Sequence, residues 1–338
     1  MKKIVFFDAN EGDEAYFSSA FRNVLKSEIV FCSEPLNKES VAEFTDTAIA
    51  SVFVTSDVDE ETISRMPQLE LIATRSTGYD HIDIKEAKKH HALVSTVPTY
   101  GETTVAEYTF MLLLSLVRRL QESLSQIDSG VINYQDITGS DLAGKTLGIV
   151  GCGRIGQHVA RIAQGFEMNA IGFDVGGVNS ENISAVDLPV LIAESDVISL
   201  HLPGGEETFH FIDSEKIEKM KNGVIILNTA RGELIDTKAL TDGLYSGKIG
   251  GAGLDVIEGE ELLRFDEEMA LLHPEAQNHD LLLKTEHSIL QRMPNVILTP
   301  HNAFNSAEAL ERIRYTTAEN IKQFMMHDPQ NLAGGSSK

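Results

Sequence analysis

Residues 146–156 read TLGIVGCGRIG. Its first five residues form an apolar run typical of a buried strand, and the next six match the pattern G-x-G-x-x-G before a helix predicted over 157–164. In this pattern Gly151 permits a tight turn, Gly153 leaves room for a diphosphate against the backbone, and Gly156 lets the helix pack closely on the sheet. The N–H groups at the start of the helix favour an anion. The stretch therefore predicts a dinucleotide-binding βαβ unit.

Asp174 ends the next apolar run, 18 residues after Gly156. A carboxylate at this place accepts hydrogen bonds from ribose hydroxyls and repels a 2′-phosphate. No Lys or Arg occurs from residue 162 to residue 215, so the arginine that usually accepts that phosphate is absent there. The predicted cofactor is NAD rather than NADP.

Short apolar runs alternate with helical spacing along the chain. Runs rich in β-branched residues, without polar alternation, indicate strands buried on both faces, as in parallel sheets. Their alternation with helices indicates βαβ units and doubly wound sheets. The predicted strands are 3–7, 28–32, 51–55, 71–75 and 92–96, followed by 146–150, 170–173, 196–200, 223–228, 251–256 and 295–299.

The strand pattern restarts after a long helix predicted over 104–123. We therefore expect an α/β protein of two domains, each with a doubly wound parallel sheet, and a cleft between them. The last helix, predicted over 306–326, follows the final strand and is expected to return to the first domain. The predicted domains are a discontinuous substrate domain, 1–101 plus 300–338, and an NAD-binding domain, 102–299. An acidic segment, 258–293, is longer than an ordinary connection between strands.

The composition is that of a globular chain with an acidic surface. Its 338 residues include 28 Lys+Arg and 51 Asp+Glu, which gives a net charge of −23. This charge repels nucleic acid and anionic lipid, so neither is an expected partner. The apolar stretch 105–120 is too short to span a bilayer and predicts a buried helix. Two cysteines, Cys32 and Cys152, make no disulfide framework and favour a cytoplasmic location.

Polar side chains follow the strands of the second set at the point where each strand ends. Because the carboxyl ends of parallel strands share one edge of a sheet, we expect these side chains to lie beside the nicotinamide. An arginine, a carboxylate and a histidine supply an anchor for two oxygens, a group that tunes a proton donor, and the donor itself. This set predicts hydride transfer to or from a carbonyl next to a carboxylate. The residues are His201-Leu202-Pro203, Arg231, Asp255, Glu258, Glu260 and His301.

Several strings resemble the D-isomer-specific 2-hydroxyacid dehydrogenases. They are GCGRIG (151–156), NTARGELID (228–236), GAGLDVIEGE (251–260) and TPHNAF (299–304), with RSTGYDHID (75–83) and VPTYGETTVAEYTFMLLLSL (97–116) in the first domain. Residues 99–107 and the acidic segment look most like D-lactate dehydrogenases. The resemblance implies a flavodoxin-like domain and a Rossmann domain, an NAD-dependent oxidoreductase, and a homodimer built around the NAD domains. The helix predicted over 104–123 is the candidate dimer contact.

The resemblance assigns the reaction to three residues. Arg231 would bind the substrate carboxylate and keto oxygen, because its fork of N–H donors suits two oxygens. His301 would be the acid/base, giving a proton to the carbonyl oxygen in reduction and taking it back in oxidation. Glu260 would hydrogen-bond this histidine, orient its ring and raise its pKa. Glu258 and Glu261 are close alternatives for that role.

The resemblance also assigns binding residues. Gly78, in the loop after the fourth strand, matches a position whose backbone N–H binds the substrate carboxylate, while Tyr100 and Phe304 match residues that line the substrate side. The implied cofactor residues are Gly151, Gly153, Arg154, Ile155, Gly156, Asp174, Leu202, Pro203, Thr208, Thr229, Ala230 and Asp255. No metal site is expected, since His90, His91, His273, His279 and His287 lack ligand spacing and are predicted to lie on the surface.

Other functions stay open beside a pyruvate/D-lactate dehydrogenase. An NAD(H)-sensing protein similar to the corepressors built on this scaffold would bind cofactor and a partner with negligible turnover. A second alternative is another substrate, such as glyoxylate, phosphoglycerate or phosphite. Thr55 is predicted to end the third strand, where lactate-active relatives carry a tyrosine, so a bulkier 2-oxoacid would have room.

Overall fold

A computed structural model describes residues 2–22, 27–260, 262 and 278–333, with residues 278–280 described by their backbone alone. The chain divides into two compact units. Unit 1 comprises Met1–Tyr100 and Ser306–Lys338, and unit 2 comprises Gly101–Asn305. In both units strands alternate with helices along the chain.

Twelve strands occur in the described residues and pair in two sheets in which every neighbour is parallel. In chain order they are β1 (Lys2–Phe6), β2 (Ser27–Phe31), β3 (Ile49–Val52), β4 (Leu71–Thr74), β5 (Leu93–Ser95), β6 (Thr146–Val150), β7 (Asn169–Phe173), β8 (Ser184–Ala185), β9 (Val197–Leu200), β10 (Val224–Asn228), β11 (Ile249–Leu254) and β12 (Val296–Leu298).

The helices connect these strands. The α-helices are α1 (Glu11–Phe21), α2 (Glu60–Ser64), α3 (Ile84–Lys89), α4 (Glu102–Val117), α5 (Leu120–Ser129), α6 (Arg154–Gly165), α7 (Leu188–Glu194), α8 (Ser214–Lys219), α9 (Thr237–Tyr245), α10 (Asn278–Arg292) and α11 (Ala307–Met325). Short 3-10 helices cover Ser40–Glu43 and Gly232–Leu234. No helix in the described part of the chain has the length and apolar content needed to cross a membrane.

The sheet of unit 1 has the order β2-β1-β3-β4-β5. This is the order of flavodoxin-like sheets. Its central strands carry fully buried apolar side chains, among them Ile4, Ile49 and Leu71. The C-terminal helix α11 packs against α1 and β4, so the end of the chain returns to the sheet formed by its beginning.

The sheet of unit 2 has the order β12-β11-β10-β9-β6-β7-β8. The chain winds outward in both directions from β6, with β7 on one side and β9 on the other. Ligands of such sheets bind at the carboxyl ends of the strands where the winding reverses. Two doubly wound parallel sheets were predicted from the sequence, and this fold class is confirmed.

Three strands differ from the prediction by more than one residue at an end. β3 ends at Val52 rather than at residue 55, because the carboxylate of Asp8 accepts hydrogen bonds from Phe53 N (3.2 Å) and Ser56 Oγ (2.7 Å) and turns the chain there. β11 covers residues 249–254 instead of 251–256. β8 was missed because its two residues, Ser184 and Ala185, are exposed and form no apolar run.

The helix predicted over 104–123 is two helices. α4 ends at Val117, and Arg119 has a left-handed backbone (φ 51°) that breaks the helix before α5 begins. One stripe of α4 is buried within unit 2, including Phe110 and Leu113, whereas α5 has no buried residue. The helix predicted as the candidate dimer contact is therefore divided at Arg119.

The boundary between the units lies after Asn305 rather than before residue 300. The reason is a set of hydrogen bonds to Asp255, whose side chain and carbonyl hold the segment that follows β12. Asp255 O accepts from His301 N at 2.8 Å, and the Asp255 carboxylate accepts from Asn302 N (2.8 Å) and Ala303 N (2.7 Å). These bonds keep residues 300–305 in unit 2.

A buried asparagine fastens α11 to the edge of the unit 1 sheet. Asn320 is 2% exposed, its Nδ2 donates to Thr96 O at 2.8 Å, and its Oδ1 accepts from Asn331 Nδ2 at 2.8 Å. Thr96 N in turn donates to Asn331 O at 2.9 Å. The C-terminal segment is therefore bonded both to α11 and to the residue after β5.

We predict that Asn320→Ala lowers the free energy of unfolding by about 1–3 kcal/mol, because it leaves the buried carbonyl of Thr96 without this partner. Urea denaturation followed by circular dichroism measures the change. Gln330→Ala, at an exposed position of the same segment, is the matched control. A loss no larger than that of the control would show that these bonds do not secure α11.

Candidate active site

The glycine pattern forms the turn between β6 and α6. Gly151 has φ +91°, and a Cβ built there would lie 2.5 Å from His201 O, so this position excludes a side chain. A Cβ at Gly156 would lie 2.3 Å from Gly151 O, because α6 starts in contact with the turn. A Cβ at Gly153 meets no atom within 4 Å. The turn is thus closed toward the sheet and open where a diphosphate has to approach.

The first turn of α6 has the features of a diphosphate site. Its N-cap, Gly153, supplies no side-chain acceptor, so the N–H groups of the first turn are not capped from within. Arg154 opens the helix with a side chain 61% exposed, its Nε 3.6 Å from Glu102 Oε1, and Ile155 packs against the apolar core. A helix N-terminus with an exposed cation favours a phosphate group.

Asp174 lies at the end of β7, next to this turn. Its Oδ2 accepts from Cys152 N and its Oδ1 accepts from Gly176 N, both at 2.8 Å. The carboxylate is half-buried and fixed by the backbone on both sides. Its position at the carboxyl end of the second strand is that of the ribose-binding acid, so the residues present fit NAD.

The other predicted cofactor residues follow β9 and β10. Thr208 Oγ1 donates to Pro203 O at 2.8 Å, which closes the loop that begins at Leu202. Thr229 Oγ1 is hydrogen-bonded to Thr109 Oγ1 of α4 at 3.0 Å. β6, β9 and β10 are neighbours in the sheet, so these loops emerge from one edge.

Arg231 follows β10 in a loop that Asn228 holds. Asn228 Nδ2 donates to Arg231 O at 2.8 Å, and Asn228 Oδ1 accepts from Ala230 N at 3.1 Å. The Arg231 guanidinium donates to Ala230 O at 2.8 Å. At Gly232 a Cβ would lie 2.1 Å from the carbonyl carbon of Ile257, so the loop is pressed against the segment after β11.

His301 follows β12 and has a left-handed backbone (φ 51°). Asp255, which is 1% exposed, fixes this conformation from the end of β11. Its Oδ1 accepts from Thr299 Oγ1 (2.6 Å) and Asn302 N (2.8 Å), and its Oδ2 accepts from Ala303 N (2.7 Å). One carboxylate thereby holds the chain on both sides of His301, at Thr299 before it and at Asn302 and Ala303 after it.

Glu260 and His301 form a pair in unit 2, with His301 Nδ1 2.8 Å from Glu260 Oε1. The hydrogen bond from Glu260, together with its charge and that of Asp255, raises the pKa of His301, against the lowering effects of burial and of the Arg231 charge. Because an ionised carboxylate only accepts, Nδ1 carries the proton of this bond. Nε2 is then the ring nitrogen whose proton changes.

Glu258 is not the hydrogen-bonded partner of His301. Its Oε1 lies 2.8 Å from His210 Nε2, and its Oε2 accepts from Thr237 Oγ1 at 3.0 Å. Glu258 thus joins the loop after β9 to the start of α9. The other alternative, Glu261, lies outside the described residues.

One histidine prediction is wrong. His287, on α10, is 1% exposed rather than on the surface, and its Nε2 is hydrogen-bonded to Glu258 O at 2.8 Å. His90 and His91 are exposed as predicted. His273, the side chain of His279 and residues 263–277 of the acidic segment lie outside the described residues. Within the described part, no group of three or more His, Cys, Asp or Glu residues could hold a metal ion.

The predicted substrate residues are distributed over both units. In unit 1, Gly78 lies in the loop after β4, and its carbonyl accepts from Ser76 Oγ at 2.6 Å. Tyr100, also in unit 1, is half-buried, and its carbonyl accepts from Arg312 Nε at 2.8 Å. Phe304 is half-buried in unit 2, directly after the residues that Asp255 holds.

Thr55 does not end a strand. It lies in the exposed turn after β3, and its hydroxyl is hydrogen-bonded to the carboxylate of Asp8. The hydroxyl is thus used within unit 1 to hold the turn.

Comparisons with known proteins identify the family. A family model described as the NAD-binding domain of D-isomer specific 2-hydroxyacid dehydrogenases matches residues 110–303. The chain belongs to this family. The dehydrogenase is 35% identical to 2-hydroxyacid dehydrogenase homolog 1 of Schizosaccharomyces pombe, over 95% of the chain and 96% of that protein. It is also 36% identical to a glyoxylate reductase of Korarchaeum cryptofilum, over 88% and 86%.

A solved structure is similar over the whole dehydrogenase. D-lactate dehydrogenase from Aquifex aeolicus, complexed with NAD and lactic acid, superposes with a TM-score of 0.85 at 36% identity, covering 99% of this chain and 100% of that one. The predicted family is confirmed, as is an NAD-dependent oxidoreductase acting on the CH–OH group of D-2-hydroxy acids. NAD as the cofactor is also confirmed.

Sequence reasoning missed the residues that hold the dehydrogenase's charged side chains in place. Asp255 was predicted only as a cofactor neighbour, yet its carboxylate holds the segment of His301. Asn228 fixes the loop of Arg231 through its side-chain amide. Both are polar residues at the very end of a buried strand, where burial without a partner is costly. A polar residue at the end of a predicted buried strand is therefore the sequence feature from which they could have been predicted.

We predict that Glu260→Gln lowers the pKa of His301, because the amide supplies no negative charge while burial and Arg231 still oppose the imidazolium. An NMR titration of the His301 ring measures this pKa. Glu258→Gln is the matched control, since Glu258 is bonded to His210 instead. An unchanged His301 pKa in Glu260→Gln, or an equal fall in both variants, would contradict the assignment.

The same pair predicts a pH dependence of stability. The folded pKa of His301 lies above its unfolded value of about 6.5, so the pair stabilises the fold fully below that pH. This contribution is lost as the pH rises through the folded pKa. The difference in unfolding free energy between wild type and Glu260→Gln is therefore expected to shrink as the pH rises.

Proposed function

We propose that the protein interconverts a 2-oxoacid and the corresponding D-2-hydroxy acid, with pyruvate and D-lactate as the first candidate pair. The observation that carries this proposal is the 2.8 Å contact between His301 Nδ1 and Glu260 Oε1, in the same unit as Arg231. This contact keeps a proton on Nδ1 and raises the pKa of His301, as a proton donor working near neutral pH requires.

In the proposed reduction, His301 holds a proton on Nε2 and gives it to the carbonyl oxygen of the substrate. The charge of Glu260 stabilises the imidazolium before this transfer. Arg231 binds the substrate carboxylate and keto oxygen through its fork of N–H donors. In the oxidation direction the neutral ring of His301 takes the proton from the hydroxyl, so the preferred direction changes with pH.

This step also requires a bound cofactor. NAD, when bound, supplies the hydride donor or acceptor. We propose that the first turn of α6 with Arg154 and Ile155 binds its diphosphate, that Asp174 binds its ribose, and that Thr229, Ala230 and Asp255 lie near its nicotinamide. Leu202, Pro203 and Thr208 would contact the adenosine side.

In unit 1, we propose that the loop containing Gly78 binds the substrate carboxylate through backbone N–H groups, and that Tyr100 borders the substrate. Phe304 of unit 2 is proposed for the same role. Thr55 is hydrogen-bonded to Asp8 within its own turn, and it is smaller than a tyrosine. Longer 2-oxoacids therefore stay candidates beside pyruvate, as does glyoxylate, which the relative from Korarchaeum cryptofilum is named for reducing.

We predict that the purified protein oxidises NADH with one or more 2-oxoacids and that His301→Gln lowers kcat/KM at least about 100-fold, the usual contribution of a general acid. NADH absorbance is followed across 2-oxoacids of increasing side-chain length. His90→Gln, at an exposed position of unit 1, is the control and keeps wild-type turnover. Wild-type turnover in His301→Gln would remove the proposed acid.

The alternative of an NAD(H)-sensing binding protein makes the opposite prediction. Such a protein binds NADH and shows no turnover with any of these acids. The pairing of Glu260 with His301 favours the enzyme, because a sensor has no need for a raised pKa on that ring.

We also propose a homodimer, formed around unit 2, in the cytoplasm. The α5 surface, defined as Leu120, Leu124, Ile127 and Val131, is 46–65% exposed and lies on one helix and its end. α5 buries none of its own residues, so these side chains lack cover within the described chain. Both cysteines are free, as a reducing compartment requires.

We predict that Leu124→Asp shifts the protein from dimer to monomer, because it places a charge in the proposed apolar contact. Analytical ultracentrifugation measures the mass of each species. Tyr245→Asp, which changes a 71% exposed side chain on α9, is the control and keeps the dimer. A wild-type protein that sediments as a monomer contradicts the homodimer, and an unchanged dimer in Leu124→Asp contradicts this surface.

A further inference from the structure

We propose that His81, Thr74 and Ser76 form a hydrogen-bond relay that orients the Gly78–Tyr79 peptide for binding the substrate carboxylate. The three side chains are positioning residues: they act on the loop after β4, not on the substrate itself. The inference rests on the proposed function, in which the loop containing Gly78 binds the substrate carboxylate.

The relay runs from the edge of unit 1 into its core. His81 Nε2 lies 3.2 Å from Thr74 Oγ1, Thr74 Oγ1 lies 2.6 Å from Ser76 Oγ, and Ser76 Oγ lies 2.6 Å from Gly78 O. Thr74 is 1% and Ser76 2% exposed, so water does not compete for these hydroxyls. A break in the relay therefore leaves a buried polar atom without its partner.

The direction of each hydrogen bond follows from the acceptor at the end. The carbonyl of Gly78 only accepts, so the single hydroxyl proton of Ser76 is donated to it. Ser76 must then accept the proton of Thr74, and Thr74, having donated its own, must accept from His81. The relay therefore requires a proton on His81 Nε2.

This direction fixes one peptide plane of the loop. With the Gly78 carbonyl turned toward Ser76, the N–H of the same planar peptide, which belongs to Tyr79, points the opposite way. A second plane is fixed by the bond from Val97 N to Ser76 O at 2.9 Å, and Thr77 Oγ1 donates to Val97 O at 2.7 Å. The N–H groups of Thr77 and Tyr79, on either side of the Gly78 N–H, are thus held before a carboxylate arrives, which reduces the cost of binding it.

The beginning of the loop is anchored separately. Arg75 is 3% exposed, and its guanidinium donates to Phe7 O at 2.6 Å and to the carbonyl and hydroxyl of Ser51. Asp8 and Asp13 are the carboxylates whose charge acts on it, and Arg314 opposes them. Arg75 therefore ties the ends of β1, β3 and β4 together, and the relay governs the Gly78 end.

Steady-state kinetics with NADH and the best 2-oxoacid tests the relay. We expect Ser76→Ala and Thr74→Val to raise the KM for the 2-oxoacid about three- to tenfold, with kcat and the Kd for NADH changed less than twofold. Ser76→Thr keeps the hydroxyl and is expected to restore the KM. Ser64→Ala removes an exposed hydroxyl of the same unit and is the matched control.

His81 supplies the more specific test. His81→Gln keeps an N–H donor near the place of Nε2 and is expected to hold the KM close to the wild-type value, whereas His81→Leu raises it as Ser76→Ala does. The double variant of His81→Leu with Ser76→Ala is expected to be no worse than either single variant, because both break one relay. Equal KM values for the Gln and Leu variants, or additive effects in the double variant, would overturn the relay.

Nitrogen NMR of the His81 ring shows which ring nitrogen carries the proton, and it needs no enzymatic turnover. The expected result is a proton on Nε2 at neutral pH, and a ring protonated on Nδ1 alone would overturn the relay. If the wild-type protein turns over no 2-oxoacid, the proposed function fails while this spectrum still decides the proton direction. Failure of the two proposals is therefore distinguishable.

Discussion

The carboxylate of Asp255 is buried at the end of β11, where it accepts three hydrogen bonds from the segment after β12. Burying a carboxylate costs free energy unless hydrogen-bond donors surround it. The segment after β12 supplies these donors, so Asp255 determines its position. His301 lies inside this segment, in a left-handed backbone that favours glycine. The site of unit 2 depends on this one constraint, because Glu260 meets the imidazole only where Asp255 places it.

Charge explains why the site is built from local donors. The chain has a net charge of −23, so its general field repels a 2-oxoacid and a dinucleotide alike. Arg231 and the uncapped first turn of α6 supply a positive potential at short range. Close to these groups, this potential exceeds the negative potential of the more distant acidic side chains. The same contrast bears on His301, since Glu260 and Asp255 favour its charged form while Arg231 opposes it.

The sequence predicted what periodicity and strand ends determine. Parallel strands bring their carboxyl ends to one edge, which is why Arg231 and His301 could be expected at one edge of one sheet without coordinates. The sequence-based prediction failed where a residue distant in sequence determines the local structure. The run at 51–55 looks like a strand, but Asp8 turns the chain after Val52, and His287 looks like a surface residue until Glu258 O is seen beside it. Arg119 breaks an apolar helix that composition would have continued.

In each unit the position of a proton on a histidine is set by the group it meets. In unit 2 the Glu260 carboxylate accepts from His301 Nδ1 and raises the pKa, which suits a ring that gains and loses a proton on Nε2. In unit 1 His81 meets the hydroxyl of Thr74, whose own proton is already donated to Ser76. Such a hydroxyl can only accept from the ring, so this contact calls for a proton on Nε2. The first arrangement suits proton transfer, and the second suits holding a peptide still.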